Sequence, residues 1–452
     1  MTNGRLLPVA VLLLLAVPLL GDTFPTGGPR STNNDDSCDV AALPAATLLL
    51  PYFEVDLDDF EGETTLFTVT NTGDRAQVVR TTLWTDYGYP VISFNIYLTG
   101  YDVQSINLRD ILASGRIGGD DGTGTSVSPV GELSRGAGSG HDVTNCTRIP
   151  HLTPEDVTLL QSAFTIGRYT FARPNDVVCP VGNTHVNAIG YATMDVVARC
   201  SDALPTDNEY FTEEIRYDNV LMGEYQQINP ANNFAQGGTL VHIRAIPEGG
   251  TQATRNAPML ASNFPRTFYR RLLDGDTLSD ARQPLPSAFM ARWINGTGAG
   301  FQTSFKFWRE LSGRDASTCG VDDDYTTVTE IVVFDEAENA FAQARPPLGD
   351  PPRPDEPANL PAASLVNIGD DDIFPRPPNG ASAGWVYINL DSRDADATYA
   401  EQAWAISSMR AEGRYSADFD ATAFGNGCSP RIPKSEINAP GSPIGPPSNV
   451  TP

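Results

Sequence analysis

The sequence predicts a mainly β protein: two antiparallel sandwiches of Ig-like or jelly-roll type, with a few short helices and long loops. Three observations carry that reading. Residues 66–70, 78–86 and 93–98 alternate with period two, the signature of strands with one buried face. Clusters of Gly, Asn, Asp and Pro punctuate the strands at roughly the 8–12-residue spacing typical of sandwiches. The 40 glycines and 36 prolines among 452 residues exceed the usual share and argue against a helical fold.

Taken in order, residues 1–21 read as a signal peptide. Arg5 precedes an uncharged apolar run over residues 6–20, which ends at small Gly21. The run is short of the roughly 20 residues that span a bilayer. Residues 22–41 form a polar, flexible lead-in. The first β region covers residues 42–285. It opens with an apolar strand over 46–55 that Pro51 marks as an edge or entry strand. The strand at 66–70 is followed by the turn cluster Asn71-Thr72-Gly73-Asp74 and a return strand at 78–86. Phe94, Ile96 and Leu98 then share a face, and 103–108 forms a further strand. Residues 113–140, rich in Gly, Ser and Asp, read as a long loop. Thr153-Pro154-Glu155-Asp156 is a helix start, with a Thr cap, Pro in the first turn and acids at the positive dipole end. That helix runs to about Ala163. Strands are expected at 188–198, 219–225 and 239–246, and a short helix at 266–273.

The second β region covers 286–438, with strands at 289–294, 303–308, 327–334, 385–390 and 402–409. It repeats part of the first layout: an Asn/Thr/Gly turn, then a strand that reaches a tryptophan (Trp84, Trp308). The stretch 42–48 is also echoed at 359–365. Residues 439–452 form a Pro/Gly/Ser-rich, disordered tail.

The formal net charge is −26, a surface that repels nucleic acid and anionic membranes. Six cysteines follow the leader: Cys38, Cys146, Cys179, Cys200, Cys319 and Cys428. An even count in an exported chain predicts disulfides, and no C-x-x-C pair suggests a metal module. The pairing expected is Cys146–Cys179, Cys319–Cys428 and Cys38–Cys200, chosen from fifteen arrangements. The four histidines show no metal-binding spacing. Ser139-Gly140-His141-Asp142 places triad residue types side by side, but neighbours on one loop cannot adopt triad geometry. His242 reads as a satisfied strand histidine.

Two kinds of binding site are expected. Acidic loops supply oxygen ligands of the kind calcium takes, with Asp56, Asp58 and Asp59, and Asp391, Asp394 and Asp396, as the candidates. Tyr87, Tyr89, Tyr97 and Tyr101 surround what reads as one hairpin end, where phenol rings form a platform for a polysaccharide. No catalytic residue is singled out, and paired carboxylates for glycoside hydrolysis would come from distant strands.

The segments 43–55, 64–71 and 94–103, with Gly190-Tyr191-Ala192-Thr193-Met194-Asp195-Val196-Val197 and Asp218-Asn219-Val220-Leu221-Met222-Gly223, resemble a group of exported bacterial proteins without an assigned activity. Val69-Thr70-Asn71-Thr72-Gly73 is similar to a turn of Ig-like bacterial surface modules. The resemblances carry no activity; the sequence as a whole favours a secreted or envelope β-sandwich protein with a binding or structural role and a polysaccharide or surface-protein partner. The alternatives are a secreted carboxylate-dependent hydrolase acting on polysaccharide, and a calcium-stiffened adhesin.

Overall fold

The computed structural model describes residues 40–116, 152–171, 177–201, 203–207, 209–245, 268–270, 272, 280, 282–296, 300–310, 330–342, 360–369, 373–374, 381–390, 401–411 and 415–423. The leader, lead-in, tail and Ser139–Asp142 motif lie outside them.

The first region contributes β1 (Thr47–Val55), β2 (Thr64–Asn71), β3 (Gln77–Thr85), β4 (Pro90–Leu98), β5 (Val103–Asn107), α1 (Leu108–Ser114), α2 (Pro154–Thr165), β6 (Arg168–Phe171), β7 (Val177–Pro180), β8 (Ala188–Val197), β9 (Leu221–Asn229), β10 (Phe234–Thr239) and β11 (Val241–Ile243). Sheet I has the order β11-β1-β8-β3-β4, and sheet II the order β10-β9-β2-β5. Leu48, Leu50, Val79, Leu83 and Met194 of sheet I and Phe67 and Val69 of sheet II belong to one buried apolar cluster. β6 and β7 form a separate ribbon.

The second region contributes β12 (Ala288–Ile294), β13 (Phe301–Arg309), β14 (Glu330–Asp335), β15 (Ala340–Ala342), β16 (Ala363–Asn367), β17 (Ala383–Asn389), β18 (Ala403–Ala411), β19 (Tyr415–Asp420) and β20 (Thr422–Ala423). Sheet III is β15-β14-β17-β12-β20 and sheet IV is β16-β13-β18-β19. Every strand pair named is antiparallel, as the sandwich reading requires.

Four expectations are corrected. The strand after Asn71–Asp74 is not a return strand: β2 sits in sheet II and β3 in sheet I, so the turn crosses the sandwich as an arch. β12 and β13 repeat this crossing between sheets III and IV. Period-two alternation fixes which residues share a face and says nothing about which strand lies alongside. β1 is not an edge strand, because β11 and β8 flank it. Pro51 is tolerated because the β1–β8 register shifts between Leu50 and Phe53, so the missing N–H falls at a bulge. The echo of 42–48 at 359–365 does not mark equivalent strands: β1 lies inside sheet I, whereas β16 is the edge of sheet IV. The strand expected at 239–246 divides into the end of β10 and β11.

α1 was not anticipated, and it begins inside the stretch read as strand and loop. Asn107 caps it by accepting from Arg109 N, and Gly115 ends it at φ +67°, a conformation glycine adopts without Cβ strain. α2 follows the expected start. Thr153 and Asp156 form a reciprocal capping box, and the helix runs two residues past the predicted end. Of the helix expected at 266–273, the described residues 268–270 and 272 lie in turns.

Gly190 of β8 marks the tightest packing in sheet I. A Cβ there would lie 2.2 Å from the carbonyl oxygen of Trp84 and 2.8 Å from the Phe53 ring.

Candidate functional site

The notable chemistry lies on the outward faces of two sheets, both of which are covered. In sheet I, register aligns Thr47, Asp195 and Arg80 across β1, β8 and β3, on the face away from Leu48 and Met194. All three are fully buried. The Asp195 carboxylate accepts from Thr47 Oγ1 at 2.5 Å, Tyr210 Oη at 2.5 Å and Tyr269 Oη at 2.7 Å, with Arg282 Nη2 at 3.6 Å. Arg282 also pairs with Asp280 at 2.6 Å and lies over the rings of Tyr217 and Tyr269. Arg80 donates to Asn95 and Ser201 and faces Glu214 at 3.8 Å. Glu214 belongs to a single π-helical turn, Tyr210–Glu214, that lies over this face. Burial beside Asp195 raises the Tyr210 and Tyr269 phenols well above their ordinary range, so both remain donors. Asp195, Tyr210, Tyr269, Asp280 and Arg282 are all buried, while Glu214 pairs at 2.7 Å with the part-exposed Arg199.

In sheet IV, Ser304 and Lys306 of β13 and Ser408 of β18 are polar positions alternating with core residues such as Phe305 and Phe307. An isolated sandwich would expose them. Here they are buried against the first region. Lys306 Nζ lies 2.7 Å from Asp418 Oδ2 and 5.7 Å from the centre of the Tyr225 ring. Asp418 also accepts from Tyr225 Oη at 2.9 Å and Ser408 Oγ at 2.7 Å, and Ser408 donates to Gln236. The seam continues elsewhere. Ser416 donates to the carbonyl of Ala235, the amide of Ala362 donates to the carbonyl of Asp86 at 2.6 Å, and Gln402 donates to the carbonyl of Phe268. Trp308 meets Tyr191 edge-on and stacks on Phe268.

The mouth of this seam holds two carboxyl groups, Glu54 at the end of β1 and Glu63 before β2. The amide of Asp56 donates to the Glu63 carbonyl, and Thr65 Oγ1 bonds both the amide and the carbonyl of Glu54, which holds residues 54 and 63 near one another although β1 and β2 belong to different sheets. Glu54 accepts from Tyr52 Oη at 2.9 Å and Asn187 Nδ2 at 2.7 Å. Burial, then the charge of Glu54, pushes Glu63 up to about 7, against the pull of Asn229, Lys306 and Arg410. Lys306 is lowered, chiefly by burial, against the attraction of Asp418. Glu63 therefore exchanges protons near neutrality, and the pair combines a proton-holding carboxyl with a hydrogen-bonded one.

A third cluster holds a predicted type of residue in an unpredicted place. His185 Nε2 lies 2.9 Å from Asp86, whose carboxylate also accepts from the backbone and side chain of Asn183. Tyr87 in turn donates to Asn183. The cluster pins the loop after β7 to the end of β3.

The predicted sites fare differently. The four tyrosines do not form one platform. Tyr87 and Tyr89 sit at the β3–β4 turn, whereas Tyr97 and Tyr101 lie at the far end of β4, since Tyr97 pairs with Val78 and Pro90 with Trp84. Tyr89 is buried against Tyr169, and Tyr101 is exposed with φ 57°. Asp56 turns inward to its own loop and accepts from the amides of Asp58 and Asp59. Among the described residues no group of three or more His, Cys, Asp or Glu side chains is disposed to hold a metal. Asp391, Asp394 and Asp396 lie outside the described residues, as do Cys38, Cys146, Cys319 and Cys428. Cys179 and Cys200 are not free thiols. Val181 lies beside Thr85, at the end of the β3–β8 ladder that pairs Thr85 with Gly190. Cys200 follows the opposite end, where Val78 meets Val197. His242 is buried on β11 and accepts from the amide of Gly223, and burial lowers it to about 4. Among the described residues no helix is long and apolar enough to cross a membrane.

No family model, no curated protein and no solved structure matches the chain.

Proposed function

We propose that this is an exported, disulfide-stapled protein with a structural or binding role at the cell exterior. The observation that supports it best is the seam. Two sandwiches meet through the Arg270–Glu310 ion pair, aromatic contacts and hydrogen bonds from Tyr225 and Ala362, a joint that supports a structural element outside the cell. Export draws on the apolar leader and on Cys179 and Cys200, neither a free thiol. Thermal unfolding of the mature, oxidised protein with EDTA, with millimolar calcium and with a panel of polysaccharides tests this reading. A structural role predicts a midpoint unchanged by all of them, and cofractionation with the cell envelope. A shift of several degrees with calcium would favour the adhesin reading.

Glu54 and Glu63 are the one observation that favours the hydrolase. Two neighbouring carboxyl groups, one of them raised to about 7 by burial, suit acid–base hydrolysis of a glycoside. Release of reducing ends from a polysaccharide, abolished by Glu63→Gln, would establish it. No release from any substrate that shifts the melting curve would remove it.

A further inference from the structure

The chain contains only two lysines, Lys306 and Lys434, against 28 arginines. Its other fully buried cations, Arg80, Arg282 and Arg309, are arginines. At Lys306, the lysine among the described residues, a primary amine stands 2.7 Å from an oxygen of Asp418, and both side chains are 2% exposed. An arginine would serve better as a plain buried ion-pair partner, since its fork bonds a carboxylate at two points. An amine can do what a guanidinium does not: it can be acylated.

We propose that Lys306 and Asp418 condense to an intramolecular amide, a covalent tie between β13 and β19 that passes over β18. The groups around the pair suit this step. Burial disfavours the Lys306 ammonium, and transfer of one proton across the 2.7 Å contact to Asp418 yields a neutral amine and a carboxylic acid. The Nζ lone pair attacks Cγ of Asp418, and the carbonyl electron pair moves to oxygen. The hydroxyls of Tyr225 and Ser408 lie 2.9 and 2.7 Å from Asp418 Oδ2 and Oδ1, so one is placed to stabilise the oxyanion and the other to bond the departing hydroxyl. Collapse breaks the C–O bond. The departing hydroxyl takes a proton from nitrogen and leaves as water, with no oxidant or cofactor required. Burial then keeps water from the amide. The inference is independent of the ligand or activity of the protein, because it concerns a bond within the chain.

The test is the mass of the mature protein, reduced and unfolded. The expected value is one water below the mass of the open linear chain. Trypsin should fail to cleave after Lys306 and should yield a branched species joining residues 293–309 to 415–431. Lys306→Arg should restore the full mass, and Tyr225→Phe should lower the fraction linked at a fixed time after synthesis. Full mass in the wild type, with cleavage after Lys306 and a linear 415–431 peptide, would overturn the proposal. So would a water loss mapped to any other pair.

Discussion

The outward faces of sheets I and IV carry comparable polar side chains, and the protein buries them by different means. On sheet I the cover includes pieces of the same region: the Tyr210–Glu214 turn reaches Asp195 and Arg80, joined by Tyr269, Asp280 and Arg282 from the connection to β12. On sheet IV the cover is the other sandwich, with Tyr225 and Gln236 of β9 and β10 reaching Asp418 and Ser408. In the first arrangement Asp195 and Asp280 are buried and each accepts from more than one donor. The second ends at a mouth where Glu63 still exchanges protons. A polar face covered by local chain becomes a sealed lock, and one covered by a neighbouring domain keeps a titratable margin.

The largest expected effect breaks the sealed lock. Asp195→Ala strips three hydroxyl donors and Arg282 of a shared partner and leaves buried charge uncompensated, a loss of about 3–5 kcal/mol. Urea unfolding followed by tyrosine fluorescence measures it. A loss below 1 kcal/mol would mean that the network is not a lock.

The next two effects are pH dependences of opposite sign. His242 is held neutral, with its folded value near 4 and its free value near 6.5. The unfolded chain therefore binds the proton first, and stability falls as pH drops from about 6.5 to 4, by about 3 kcal/mol in total. A His242→Asn variant should lose that acid sensitivity in a melting-temperature series. Glu63 behaves oppositely. Its folded value near 7 exceeds its free value of 4.5, so the folded state holds the proton longer. Stability is full below about 4.5 and is lost as pH rises through 7, by about 2 kcal/mol after allowing for partial exposure. Glu63→Gln should flatten that limb and make the protein more stable than wild type at pH 8. Equal slopes for the two proteins between pH 5 and 8 would show that the seam margin does not titrate.

The smallest effect is a control remote from both faces. Thr153→Ala removes the α2 capping box, with an expected cost of about 1 kcal/mol and no change in either pH limb.

Much of the strand pattern was legible in the sequence because alternation is local. Phe67 and Val69 do face the core, Phe305 and Phe307 do face away from Lys306, and Thr153 does cap a helix. Short elements such as β6, β7, β15 and β20 were not legible, since two to four residues carry too little periodicity to register. None of the three clusters was legible. Asp86 and His185 are 99 residues apart, Thr47 and Asp195 are 148 apart, and Lys306 and Asp418 are 112 apart. Glu54 and Glu63 stood in view among a run of acids, but nothing local distinguished them from Asp58 or Asp59, which remain in an exposed loop.

By itself the sequence determined the β class, the place of most strands and the side of each strand on which polar residues fall. Those follow from side-chain period and turn chemistry, which act over a few residues. Only the tertiary structure decided that β2 and β3 arch between sheets, that Pro51 sits at a bulge inside a sheet, and that two polar faces are covered. Alternation states that a residue points away from its own core. Whether water or another part of the chain waits there depends on contacts more than a hundred residues away, and at Lys306 that contact turns a surface pattern into a buried amine against an acid.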